Sequence, residues 1–341
     1  MDNYPDDAEY IYLFYKDLTV LQDLSRFKNL RILTCCYNQL TYLPSFNNNL
    51  VQLNCSNNKL TFLPEFNHNL KHINCSSNQL TELPNFNSNL EYVECSHNRL
   101  TLLPILNHNL EVLKCDFNYL ISILELNHNL KYLNCSYNMI TSLPTLNENL
   151  SRLYCYNNNL NYLPELNENL KELYCYGNQL TYLPKLNENL LELHCYNNQL
   201  TYLPKLNHNL KELICLRNQL SSIPDLNQNL KILNCSNNKI YHIPNLNDEL
   251  ESINLSNNRI TYQLFINSLL GINQHDSPIK NINNIKKIRD IVYILNRFRH
   301  LYYYSKYRDR LINWMWSLKE KHIIKKYKPD NIKIIFGLTL L

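Results

Sequence analysis

The chain repeats itself every twenty residues, and few folds can accept that. From about Leu30 to Ile260 its rows align without a gap. Leu recurs at Leu30, Leu50, Leu70 and onward to Leu250. Three residues later stand Leu33, Leu53, Ile73 and onward to Ile253; two later, Cys35, Cys55, Cys75 and onward to Cys235, then Leu255. Asn38, Asn58, Asn78 and onward to Asn258 follow, and Leu40 through Ile260 close the motif. The pattern is L-x-x-L-x-C-x-x-N-x-L, twelve times over in one register. A unit this short cannot bury an apolar face alone, so successive units must stack.

Each column has a physical reason. Leu33 and Cys35 are two apart and share one face of a strand, here the core face. Leu30, Leu40, Leu43 and Phe46 fill the same core from the turns and the return. Asn38 sits where the strand ends, and its amide can both donate to and accept from backbone groups of neighbouring coils. Stacked, these side chains predict an asparagine ladder. The second half of each row reads T-x-L-P-x-[FL]-N-x-N, as at Leu43-Pro44 and Leu183-Pro184. Pro fixes φ and lacks an N–H, so the return is extended or polyproline-like. At a strand spacing of about 4.8 Å, twelve coils span roughly 58 Å.

These motifs resemble the leucine-rich repeat family over about two-thirds of the chain. The twenty-residue row with Leu-Pro on its return is similar to the short repeats of bacterial effector proteins, including the IpaH-type ubiquitin ligases. The resemblance implies a mainly β, right-handed solenoid with a parallel concave sheet and extended convex returns. Departures are few: Leu124 replaces the return proline of one row, and Leu255 replaces the last column cysteine.

Eleven of the twelve cysteines occupy one column, Cys36 being the exception. Read as small buried hydrophobes, they need no further role. Disulfides between rows are disfavoured, because parallel, equally oriented side chains do not present the required dihedral. A metal ladder is disfavoured too, since zinc favours clustered C-x-x-C pairs and the one close pair is Cys35-Cys36. In the IpaH-type ligases the nucleophilic cysteine follows the repeats. Here no cysteine follows Cys235, so ligase chemistry is not carried over.

Gly177, Gly271 and Gly337 are the three glycines. They are too dispersed for a dinucleotide fingerprint or a phosphate-binding loop. No G-x-S-x-G, H-E-x-x-H or Ser-His-Asp set is found. The chain is therefore expected to be non-catalytic, with no cofactor and no metal site. The beginning, Met1 to Asp7, is polar and acidic and lacks the marks of a signal peptide. No apolar run reaches a membrane span. A cytoplasmic setting with reduced thiols, no membrane partner and a monomeric state are the expectations.

The strand positions flanking the two buried ones are small or polar in early rows: Gln52, Asn54, Ser56, then His72, Asn74, Ser76. Later they become Arg152, Tyr154, Tyr156; Glu172, Tyr174, Tyr176; Glu192, His194, Tyr196; and Glu212, Ile214, Leu216. Tyr-rich patches lose little rotamer freedom on binding and form interface centres. This run is the candidate partner-binding site. Two alternatives stand beside it: Tyr recurring by recent duplication, and cross-strand stacking that serves the sheet alone.

Three regions follow: an N-terminal cap over 1–29, the solenoid over 30–265, and a basic helical region over 266–341. In the cap, Ile11, Leu13, Leu18, Leu21, Leu24 and Phe27 can cover the open edge of the first coil. In the last region, Ser277-Pro278 offers a helix start. Ile282, Ile285, Ile288, Val292, Leu295 and Phe298 then recur at helical spacing. Leu311, Met315 and Leu318 make a second run beside Trp314 and Trp316. Residues 280–341 hold 15 Lys and Arg against 4 Asp and Glu, a net +11, while the rest carries −7. That segment is either a cap with a solvated basic face or a binder of nucleic acid or another acidic partner.

Asn makes up roughly one residue in six, far above ordinary usage, and Ala8 is the single alanine. This bias resembles an AT-rich coding genome. With the cysteine column and the tail from Arg308 through Tyr327-Lys328-Pro329, it looks like leucine-rich-repeat proteins of giant amoeba viruses. That resemblance implies a viral origin and a host-cell cytoplasmic setting, not an activity; a host protein is the partner expected for the concave sheet. The leading expectation is a protein-binding scaffold working through the concave sheet. The alternatives are binding through residues 280–341 and a substrate-recruiting subunit of a ubiquitin ligase.

Overall fold

A computed structural model describes residues 4–260, together with residues 285, 286, 288–290, 292, 293 and 296. The chain divides into two compact units, Met1–Lys287 and Ile288–Leu341. The first contains one thirteen-stranded, wholly parallel sheet whose spatial order is its sequence order. Its strands run from β1 (Tyr10–Tyr12) and β2 (Ile32–Thr34) through twenty-residue steps to β13 (Ser252–Asn254). Each is three residues long with the middle residue buried. Register is strict: Ile11 faces Leu33, Leu33 faces Leu53, and Leu233 faces Ile253. The result is the leucine-rich repeat fold, a β-solenoid with very little helix among the described residues.

Pairing continues past the strands. The Cys55 N–H donates to the Asn74 carbonyl at 2.8 Å and the Asn57 N–H to Ser76 at 2.9 Å. The Lys59 N–H donates back to Leu40 at 2.8 Å. The backbone groups at the turn are thereby satisfied coil to coil. The Leu column from Leu30 to Leu250 is at most 4% exposed, and every column cysteine is fully buried. Phe46 is only half-buried, whereas Leu186 and Leu206 in the same column are buried. Leu106, Leu126, Leu166 and Leu226 are half-buried like Phe46, so this column lies at the margin of the core.

Residues 1–29, expected as a cap, contribute a full strand. β1 joins β2 in parallel and buries Ile11, Leu21, Leu24 and Phe27. The second unit is described only in part: Ile288 and Val292 are helical and buried there. Ile285, on the first unit, is also helical and buried. Ser277-Pro278, the Trp314 and Trp316 run, and most of the basic segment lie outside the described residues. Among the described residues, no helix is long and apolar enough to cross a membrane.

One backbone feature was not anticipated. The residue before each ladder asparagine adopts a left-handed conformation, from Tyr37 (φ 55°) and Asn57 (56°) to Asn257 (53°). It turns the chain sharply out of the sheet. Asn tolerates this region, but Tyr37, Phe117, Tyr137 and Arg217 adopt it as well. Gly177 occupies it at φ 65°.

Candidate functional site

Three-residue strands leave their first and last side chains on the face opposite the core. On β8 (Arg152–Tyr154), β9 (Glu172–Tyr174), β10 (Glu192–His194) and β11 (Glu212–Ile214), adjacent coils place identical columns in register. The predicted patch residues are thus brought together as two files of rings. In one, Tyr154 stacks on Tyr174 with centroids 4.6 Å apart, and Tyr174 stacks on His194 at 4.1 Å and 2°. Tyr132 meets the end of this file edge-on at 5.3 Å. In the other, Tyr156, Tyr176 and Tyr196 stack at 4.3 and 4.0 Å. Mutual stacking leaves these rings half-buried, where the sequence suggested exposure.

A diagonal relay ties the rings to the acids. The Tyr154 hydroxyl donates to Glu172 of the next coil. The Tyr174 hydroxyl donates to Glu192 Oε2 at 2.6 Å, and His194 Nε2 lies 3.0 Å from Glu212 Oε1. Arg152 Nε donates to Glu172 Oε1 at 2.9 Å. Burial, then the hydrogen bonds to these carboxylates, push the Tyr154 and Tyr174 phenols well above their ordinary range. The hydroxyls are held protonated as donors, so the acids remain acceptors. Ile214 and Leu216 sit half-buried at the far edge.

The aromatic surface also extends beyond the predicted residues. His97, Phe117 and Tyr137 stack at 4.2 and 4.0 Å on the left-handed column, and Tyr137 reaches Tyr156 edge-on at 5.5 Å. Tyr119, Met139 and Asn157 complete a shallow groove around them. The signal was present in the same twenty-residue period, one position before the ladder asparagine. The strand-face pattern did not include it.

The asparagine ladder is formed as the columns imply. Asn158 Nδ2 donates to the carbonyls of Cys135 at 3.0 Å and Cys155 at 3.2 Å, and its Oδ1 accepts from the Ile140 N–H at 2.9 Å. The return asparagines form further ladders that the composition had suggested were genome bias. Asn227 Nδ2 donates to Asn207 at 2.7 Å and Leu210 at 3.0 Å. Asn229 Nδ2 donates to His208 at 2.8 Å. A three-stripe asparagine framework therefore accounts for much of the Asn excess.

All twelve cysteines are free thiols. Burial pushes Cys75, Cys135, Cys175 and Cys215 up to about 12. Cys95 Sγ donates to the next coil's Lys114 carbonyl at 3.4 Å. At neutral pH such thiols stay in the neutral form, the weaker nucleophile.

No sequence-family profile and no curated protein match the chain. Solved structures do. YopM, a leucine-rich effector protein from Yersinia pestis, superposes with a TM-score of 0.66 at 28% identity, over 74% of this chain and 78% of that one. A leucine-rich repeat protein of Leptospira interrogans gives 0.56 at 29% identity, over 76% and 86%. The functional domain of InlJ from Listeria monocytogenes, which includes a cysteine ladder, gives 0.63 at 27% identity, over 75% and 64%. This chain is similar to leucine-rich repeat proteins with a spacing of about twenty residues.

Proposed function

We propose that this chain is a non-catalytic scaffold that binds a protein partner through the strand face centred on Tyr154, Tyr174 and Tyr196. One observation carries the reading: a contiguous aromatic surface, stacked in two files and bordered by Arg152, Glu172, Glu192 and Glu212. Rings already locked by stacking lose little entropy on binding, and the acids provide polar specificity at the edge. The fold is that of interaction scaffolds, and its structural neighbours include a bacterial effector. A host protein in the cytoplasm is the partner class we favour, following the resemblance to giant-virus repeat proteins. The cap, solenoid and basic-region division at 29 and 265 belongs to the same proposal.

Replacing Tyr154, Tyr174 and Tyr196 with Ser in the full chain tests it by affinity capture from host-cell lysate. Partners retained by the native chain should be lost at least tenfold, with circular dichroism and melting temperature showing the solenoid intact. Undiminished capture would exclude this face.

A further inference from the structure

Glu172, Glu192 and Glu212 lie directly opposite one another on adjacent parallel strands. Like charges in that relation repel and need relief. Glu172 has a cation, the Arg152 guanidinium at 2.9 Å. Glu192 has a neutral donor, the Tyr174 hydroxyl, and among the described residues no ion-pair partner. Glu212 has the His194 imidazole. In the two preceding coils the His194 column holds Tyr154 and Tyr174. The imidazole of His194 stands between the carboxylates of Glu192 and Glu212, neither of which pairs with a guanidinium among the described residues.

We propose that Glu192, His194 and Glu212 form a binding site for a divalent transition metal of the zinc class. Their ligand atoms all lie within 4.8 Å of one another, on partly buried side chains. Four-coordinate zinc with bonds of about 2.0–2.1 Å places its ligand atoms roughly 3.3 Å apart, so small side-chain rotations suffice. One imidazole with two carboxylates suits zinc, cobalt or nickel, whereas calcium and magnesium favour all-oxygen cages. The supporting groups are in place. Tyr174 holds the Glu192 carboxylate by its hydrogen bond and fixes the His194 ring by stacking at 4.1 Å. The thiols of Cys175, Cys195 and Cys215 are buried on the opposite side of these strands and held protonated. Three protein ligands leave a position open on the solvent face of the strands, for water or for a carboxylate or imidazole from a bound protein.

The site shares its face with the partner-binding reading but is tested on the isolated full chain, so either can fail alone. Chelator-stripped protein is titrated with Zn²⁺ by calorimetry and with Co²⁺ by visible absorption. The expected result is one site per chain, tetrahedral Co²⁺ bands without thiolate charge transfer, and a melting temperature raised by Zn²⁺. His194→Tyr restores the residue of the preceding coils, and Glu212→Gln keeps the side-chain shape. Each should weaken binding by about tenfold or more, with circular dichroism in chelator showing the solenoid intact. No saturable binding, sulfur charge-transfer bands, or equal affinity in both variants would overturn the assignment.

Discussion

Arg217 shows how much local cost the repeat absorbs. It holds φ at 52° on an exposed position. A left-handed conformation costs an L-residue about 1–2 kcal/mol, and asparagine less because its short amide bonds locally. The same position carries Asn in five coils, at Asn57, Asn157, Asn197, Asn237 and Asn257. Arg217→Asn should therefore stabilise the chain by about 0.5–1 kcal/mol, read as a higher urea midpoint at unchanged slope. A lower midpoint would mean that the arginine contributes more than its backbone costs. Asn157, Asn197 and Asn237 recur in one column with this residue. Their left-handed role was not legible there, because a column that also admits Tyr37, Phe117 and Arg217 shows no residue preference that requires positive φ.

The element that carries the coil is the turn after each strand, and its side-chain ladder is the fastener. Asn158 bridges Cys135 and Cys155 and accepts from Ile140. Asn158→Leu leaves those buried backbone groups without their partner, a loss of about 2–4 kcal/mol. In a solenoid each coil contacts only its neighbours, so the damage is local in origin. Hydrogen exchange should show protection lost first across β7 (Tyr132–Asn134), β8 and β9, while β2 and β13 change little. A uniform loss along the chain would refute a nearest-neighbour account. This ladder could be read from the row alone, since Asn at a strand end has one obvious use. The return ladders of Asn227 and Asn229 could not. Their partners are carbonyls in the preceding coil, and only the stacking distance brings those within reach.

Across the whole molecule the cysteine column repeats one buried titrating group in coil after coil. A thiol ordinarily loses its proton near 9.0, and burial pushes Cys75, Cys135, Cys175 and Cys215 up to about 12. The unfolded chain thus releases these protons first as pH rises. The stability contributed by neutral, buried thiols is complete below pH 9 and is lost as pH climbs toward 12. Each such thiol steepens the loss by about 1.4 kcal/mol per pH unit in that window. Urea midpoints from pH 8 to 10.5 should fall steeply, and the pair Cys135→Ala and Cys175→Ala should flatten the slope by about two protons. An unaltered slope would show that the thiols are not the source.

The twenty-residue period by itself determined the solenoid, its core columns and its parallel sheet, because a strict repeat that buries Leu and Cys can pack only against its own neighbours. The candidate face was legible as a list of residues, Arg152 to Glu212. Its chemistry depended on register. Sequence separation cannot show that Tyr174 of one coil reaches Glu192 of the next, nor that His194 lies between Glu192 and Glu212. Those contacts span the distance between strands, and the tertiary structure alone brings groups eighteen to twenty residues apart within hydrogen-bond reach.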